Sequence, residues 1–78
     1  MAHLRLFASA REAAGTGRAD IPGATVAEVL HRATERFGEP FAAVLPTCRI
    51  WLNGDSVEPD APVSANDELA VLPPVSGG

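Results

Sequence analysis

At 78 residues the chain reads as a single domain spanning 1–78, near the size at which one hydrophobic core is only just sufficient. Its hydrophobic content of 46% is too high for a disordered segment, and no apolar run approaches the length of a membrane span. Ten acidic residues against six basic ones give a net charge of −4, which opposes nucleic-acid phosphates and anionic membranes and suits a protein partner with a basic docking surface.

The lone Cys48 excludes an internal disulfide, and no charged-then-apolar leader opens the sequence, so the cytoplasm is the expected compartment. All six bases are arginine. Base composition of the genome accounts for that; the chemical reading is a surface whose only amine is the α-amino group.

In chain order, His3 to Ala8 alternates, with Leu4, Leu6 and Ala8 on one side and His3, Arg5 and Phe7 on the other. This predicts a half-buried strand. Ser9 to Gly15 reads as a short helix opened by a Ser9-x-x-Glu12 capping box and stopped by Gly15. Gly17 to Ile21 predicts a second strand, ended by Pro22-Gly23. Thr25 to Phe37 is an amphipathic helix: Thr25 and Glu28 repeat the capping-box pattern, and Val26, Val29, Leu30, Ala33 and Phe37 share one face. Phe41 to Leu45 is a short apolar turn or helix before Pro46.

Arg49 to Leu52 predicts a third strand, with Ile50 and Leu52 on one face and Arg49 and Trp51 on the other. Asn53-Gly54 is a tight-turn signal that favours positive φ at both positions. Val57 falls in a short return strand, Ala65 to Asp67 in a further turn, and Glu68 to Leu72 in the last strand. Two strands, a long helix and then more strands is the order of a β-grasp fold, α+β, with a mixed sheet and the helix packed on one face.

Pro73 and Pro74 stop the last strand, since neither has a backbone N–H for a ladder. The residues that follow, Val75, Ser76, Gly77 and Gly78, continue an extended tail (73–78) that reaches roughly 20 Å when fully stretched. Two glycines are the thinnest backbone available for entering a narrow channel. Strand parity adds a second feature. If Leu69 and Val71 face the helix, Leu72 faces outward, as do Phe7 and Trp51, and the three form an apolar patch where the tail leaves the sheet.

The ending Leu72-Pro-Pro-Val-Ser-Gly-Gly, together with Phe7-Ala-Ser-Ala-Arg11-Glu12, resembles the small subunit of molybdopterin synthase in the MoaD/ThiS group of ubiquitin-like sulfur carriers. The resemblance implies that Gly78 is the site of covalent attachment. An E1-like adenylating enzyme would use ATP to adenylate its carboxylate, and a sulfur donor protein would convert the adenylate to a thiocarboxylate. It further implies that Pro74, Val75, Ser76, Gly77 and Gly78 enter the partner's active site, that Phe7, Arg11 and Leu72 dock partners, and that the large synthase subunit joins two such carriers in a heterotetramer. Trp51 joins this docking set by parity alone, because relatives have smaller residues there.

No side chain supplies catalysis in this reading. Cys48 shares parity with Ile50 and Leu52 and reads as a buried small hydrophobe rather than a persulfide carrier. His3 and His31 have no ligand cluster at metal spacing. Asp67 and Glu68 are strand neighbours that point to opposite faces, so they form no acid–base pair. No cofactor is expected on the chain itself. The remaining readings are a carrier for another pathway (thiamine thiazole, cysteine or a secondary metabolite), a ubiquitin-like protein modifier, or a plain binding module.

Overall fold

The computed structural model describes residues 1–74. Five strands form one mixed sheet in the order β2-β1-β5-β3-β4. They are β1 (Ala2–Leu6), β2 (Arg18–Ile21), β3 (Arg49–Leu52), β4 (Asp55–Ser56) and β5 (Glu68–Leu72). The first and last strands run parallel at the centre, Leu4 opposite Leu69 and Leu6 opposite Val71. β2 and β3 flank them antiparallel. This is the β-grasp arrangement.

Alternation on the central strands decides which face is buried. Leu4, Leu6, Leu69 and Val71 are 0–2% exposed and share one core with Ile21 on β2. Over them lies α2 (Val26–Phe37), which contributes Val26, Val29 and Ala33 to the same core. Leu30 and Phe37, on the predicted apolar face, are half-buried at its margin. Phe41 on α3 (Glu39–Val44) is fully enclosed, its ring edge-on to Phe37 with centroids 5.4 Å apart.

α2 begins where Thr25 predicts it. The Thr25 hydroxyl accepts from the Glu28 N–H at 3.2 Å, and Glu28 Oε1 accepts from the Ala24 N–H, one residue before the position that a regular capping box would use. Gly38, at φ 85°, ends the helix. The loop ahead of α2 lies tight against it: a Cβ built on Gly23 would stand 2.6 Å from Val29 Cγ2.

α1 (Ala8–Ala14) departs from the sequence expectation. Ala8 does not continue β1 with its side chain inward; it is exposed, has φ 50°, and is the first residue of the helix. Ser9 therefore lies inside the first turn, where its hydroxyl cannot act as an N-cap. Phe7 occupies the cap position with extended backbone, and its carbonyl accepts from the N–H groups of Ala10 and Arg11. The Ser9–Glu12 box is not formed. Gly15, left-handed at φ 78°, closes the helix as expected.

At the other end of the sheet, Asn53 and Gly54 have φ 51° and 88° and turn β3 into β4. Val57 follows that short strand rather than lying in it. A 3-10 turn (Leu45–Thr47) leads into β3. No helix among the described residues is long and apolar enough to cross a membrane.

Candidate functional site

The face of the sheet opposite α2 is uncovered, and strand register lays its side chains out in three rows. The first row, at the end remote from the tail, is Asp20, His3 and Glu68 on β2, β1 and β5. The middle row is Arg18, Arg5, Ala70 and Trp51, running from β2 across to β3. In the third row, where β5 ends, Leu72 is paired with Arg49 on one side. Phe7 lies on its other side, one step beyond the Leu6–Val71 pair, and its N–H donates to Val71 O at 3.3 Å.

Phe7 and Leu72 are thus neighbours at the point where Pro73 begins the tail. Phe7 is 38% exposed, one of two exposed large hydrophobic residues among those described, the other being Met1. Leu72, Ala70 and Trp51 are half-buried. Trp51 stands beside Ala70, diagonal to Leu72, so the apolar stripe runs Trp51, Ala70, Leu72, Phe7. Pro73 is half-buried and Pro74 exposed. Val75, Ser76, Gly77 and Gly78 lie outside the described residues.

The charge of this face differs in sign from that of the whole chain. Arg5, Arg18 and Arg49 project from its strands, and Arg11 on α1 folds back over Gly17 beside them. Four of the six arginines therefore gather here, whereas the strands contribute only two of the ten carboxylates, Asp20 and Glu68, to the same face. The net charge of −4 is thus unevenly placed, with the arginines concentrated on this face. Arg5 approaches Glu68 at 3.7 Å and lies 5.7 Å from the Phe7 ring centre, within range of a cation–π contact. Among the described residues, Arg11, Arg18 and Arg49 have no carboxylate within ion-pair distance.

A shallow depression of about 400 Å³ beside the tail exit is lined by Arg5, Phe7, Arg11, Thr16 and Arg18. A second, of about 460 Å³, lies over His3, Arg5, Arg18, Asp20 and Glu68. Both open on the same face. The cross-strand register of Arg5 and Arg18 was not recoverable from the sequence, since it depends on where β2 begins; alternation of Arg18 and Asp20 with Ala19 and Ile21 was the available signal.

The comparisons with known proteins bear on this geometry. The model of the ThiS family matches residues 4–78. The chain belongs to the ThiS family, the ubiquitin-like sulfur carriers that its two ends resemble. Among solved structures, this ThiS-family chain is similar to the small archaeal modifier protein SAMP1 from Haloferax volcanii, at 31% identity and a TM-score of 0.82, covering 99% of this chain and 98% of that one. It is similar to a putative molybdopterin converting factor subunit 1 from Pyrococcus furiosus, at 26% identity and a TM-score of 0.81, covering 95% and 97%. It is also similar to a chain in the complex of subunits 1 and 2 of molybdopterin-converting factor from Helicobacter pylori, at 26% identity and a TM-score of 0.72, covering 99% and 97%. No curated protein matches the sequence.

The other side chains weighed in this ThiS-family chain each have a local partner. Cys48 is half-buried against the core, and its Sγ lies 3.3 Å from the Val44 carbonyl as donor. Burial pushes its thiol pKa up, against a smaller opposing effect of the Thr47 side chain, so the thiolate is disfavoured. His3 Nδ1 meets Asp20 Oδ1 at 2.7 Å, and His31 faces Glu35 at 3.9 Å along α2. No cluster of three metal-ligating side chains occurs among the described residues. Asp67 and Glu68 diverge as predicted. Asp67 accepts from the Ser64 N–H and the Asn53 carboxamide, while Glu68 lies beside Arg5.

Proposed function

We propose that this chain carries sulfur as a thiocarboxylate at Gly78 and donates it to the pterin precursor in molybdopterin synthesis. The observation that supports this most directly is the position of the tail root. Pro73 follows Leu72 at the centre of the sheet, between Phe7 and Arg49, so a partner docked on the outward face stands where residues 73–78 begin. Similarity to molybdopterin converting factor subunit 1 over nearly the whole of both chains favours that pathway.

The chemistry belongs to the partners. The Gly78 carboxylate attacks the α-phosphate of ATP on an E1-like adenylating enzyme, forming an acyl adenylate and releasing pyrophosphate. A sulfide equivalent from a sulfur donor protein then displaces AMP at the acyl carbon. The resulting thiocarboxylate is anionic at neutral pH and its sulfur is the better nucleophile. In the large synthase subunit it attacks the precursor, and hydrolysis returns the carboxylate. This chain supplies a nucleophile on a narrow arm, held by docking close to its target. ATP is the adenylating partner's substrate, and no cofactor is assigned to the carrier.

The 31% identity to SAMP1, whose name describes a modifier protein, supports a second reading in which the same adenylate is passed to lysines of other proteins. Fragment mass spectrometry of Cys48→Ser protein, incubated with the adenylating enzyme, ATP and sulfur donor, tests both. One oxygen replaced by sulfur at Gly78, followed by its loss to the pterin precursor on adding the large subunit, is the expected result. An unmodified carboxylate would sink the carrier reading; Gly78-dependent conjugates of higher mass would establish the modifier.

A further inference from the structure

Arg5 and Arg18 face each other directly across the antiparallel β1–β2 pair. Like charges opposite each other in a sheet are destabilising, and opposite charges favourable. Both side chains lie on the uncovered face, and Arg18 has no carboxylate within ion-pair distance among the described residues. Arg11 and Arg49 likewise have no carboxylate within ion-pair distance among the described residues and stand on either side of the Phe7–Leu72 pair, Arg11 by the depression it shares with Arg5 and Arg18, Arg49 opposite Leu72 on β3. On α2, Arg32 lies 3.8 Å from Glu28, while Arg36 has no ion pair among the described residues and donates instead to the Asp20 carbonyl at 3.4 Å, so it is the gathering of the arginines on one face that sets them apart.

We infer that these arginines form an arc that takes carboxylates of the adenylating partner, so that the partner's docking surface is an apolar recess for Phe7, Leu72 and Trp51 with an acidic rim. The inference rests on the carrier reading for the choice of partner, and on charge complementarity for the chemistry. A guanidinium accepts a carboxylate in a two-point contact, which fixes orientation as well as charge. An acidic rim also adds opposite charge beside the facing Arg5 and Arg18, where Glu68 already approaches Arg5 at 3.7 Å. A chain with net charge −4 would otherwise repel an acidic partner; confining the attraction to the tail-bearing face gives approach in one orientation.

The test is calorimetric titration of the whole chain with the adenylating enzyme encoded in the same genome, at about 50 mM and about 300 mM sodium chloride, a range over which screening removes long-range attraction. The expected result is about tenfold weaker binding at the higher salt, and a loss of about tenfold or more for Arg18→Glu and for Arg49→Glu at low salt, with Arg32→Glu unchanged. Arg18→Glu places an acid opposite Arg5 and is expected to raise the melting temperature, which separates weaker docking from loss of fold.

Salt-insensitive binding, or an equal loss from Arg32→Glu, overturns the arc, as does an absence of binding. A dimer of this chain dispersed by Arg18→Glu overturns it in favour of self-association. Adding ATP to the same mixtures separates the two readings. Salt- and arginine-dependent binding without acyl adenylate at Gly78 sinks the carrier reading and leaves the arc. Adenylate formation with binding indifferent to the arginines does the opposite.

Discussion

Asn53 and Asp67 meet at 3.0 Å, the Asn53 carboxamide donating to the Asp67 carboxylate and tying the tip of the β3–β4 hairpin to the turn that leads into β5. The same Asn53 accepts from the Glu68 N–H through Oδ1 at 2.9 Å, and its own N–H donates to Glu68 O at 2.8 Å. One residue therefore makes the tight turn, with φ 51°, and holds β3 in register against the strand that carries the tail. Asn53→Gly keeps the left-handed backbone and removes the side-chain bonds. It is expected to cost about 1 kcal/mol for the Glu68 bond, seen as a lower urea midpoint at unchanged slope. Asn53→Ala adds backbone strain and should cost more.

Asp67 carries the pH dependence of this corner. Its pKa is held below the ordinary carboxylate value first by the Ser64 N–H and then by the Asn53 carboxamide, against a small opposing effect of desolvation. A depressed folded-state pKa gives stability that is fully present above the unfolded value of about 4 and is lost as pH falls through the folded value. Urea midpoints measured from about pH 6 down to about pH 2.5 should therefore fall in acid. Asp67→Asn should remove part of that fall; an identical acid profile in the variant would contradict the assignment.

Gly23 tests the seating of α2. A Cβ there meets Val29 Cγ2 at 2.6 Å and Val29 N at 2.9 Å, and the latter is helix backbone that cannot swing aside. Gly23→Ala is expected to destabilise by about 1–3 kcal/mol, as an overpacked core does. Gly15→Ala provides the contrast. Nothing lies within 4 Å of the added atom, so only the left-handed φ of 78° opposes it, at about 1 kcal/mol. Reversal of that order by thermal denaturation would refute the close approach.

What was legible in the sequence was what repeats locally. The apolar spacing of Val26, Val29 and Ala33 behind Thr25 marks α2, and Asn53-Gly54 marks its turn. Alternation in Glu68 to Leu72 places Leu69 and Val71 inward, which puts Leu72 outward. The start of α1 was not legible, because Ser9-x-x-Glu12 satisfies a capping pattern while the chain reverses one residue earlier, at Ala8. Nor was the arginine arc. Arg5, Arg18 and Arg49 are distant in sequence, and only the pairing of three strands brings them to one face. Composition reports the sum of charges and is silent on their placement.

Cys48 separates carrier chemistry at the tail from carrier chemistry at a thiol. Its raised pKa and the contact with Val44 O make it a poor nucleophile near neutral pH. Iodoacetamide labelling of the folded protein at pH 7.5 is expected to be at least several-fold slower than in urea, and Cys48→Ser should leave sulfur loading at Gly78 unchanged. Loss of loading in a folded Cys48→Ser variant would move the chemistry to the thiol.

The two phenylalanines divide stability from docking. Phe41 is fully enclosed and Phe7 is 38% exposed, so the same truncation removes very different amounts of buried surface. Phe41→Ala is expected to cost about 3–5 kcal/mol, enough to threaten the fold of a 78-residue domain. Phe7→Ala should cost under about 1 kcal/mol, because its ring keeps much of its surface in water and loses mainly the Arg5 contact. Its effect should appear in partner binding instead, at roughly tenfold or more if the ring fills a central pocket. Leu72→Ala should behave likewise in binding, while a β5 centred on Leu69 and Val71 stays in place. Measured together, melting temperature and affinity for the adenylating enzyme should move independently for Phe7. If they fall in parallel, Phe7 is a core residue at its margin, and the outward face has another use.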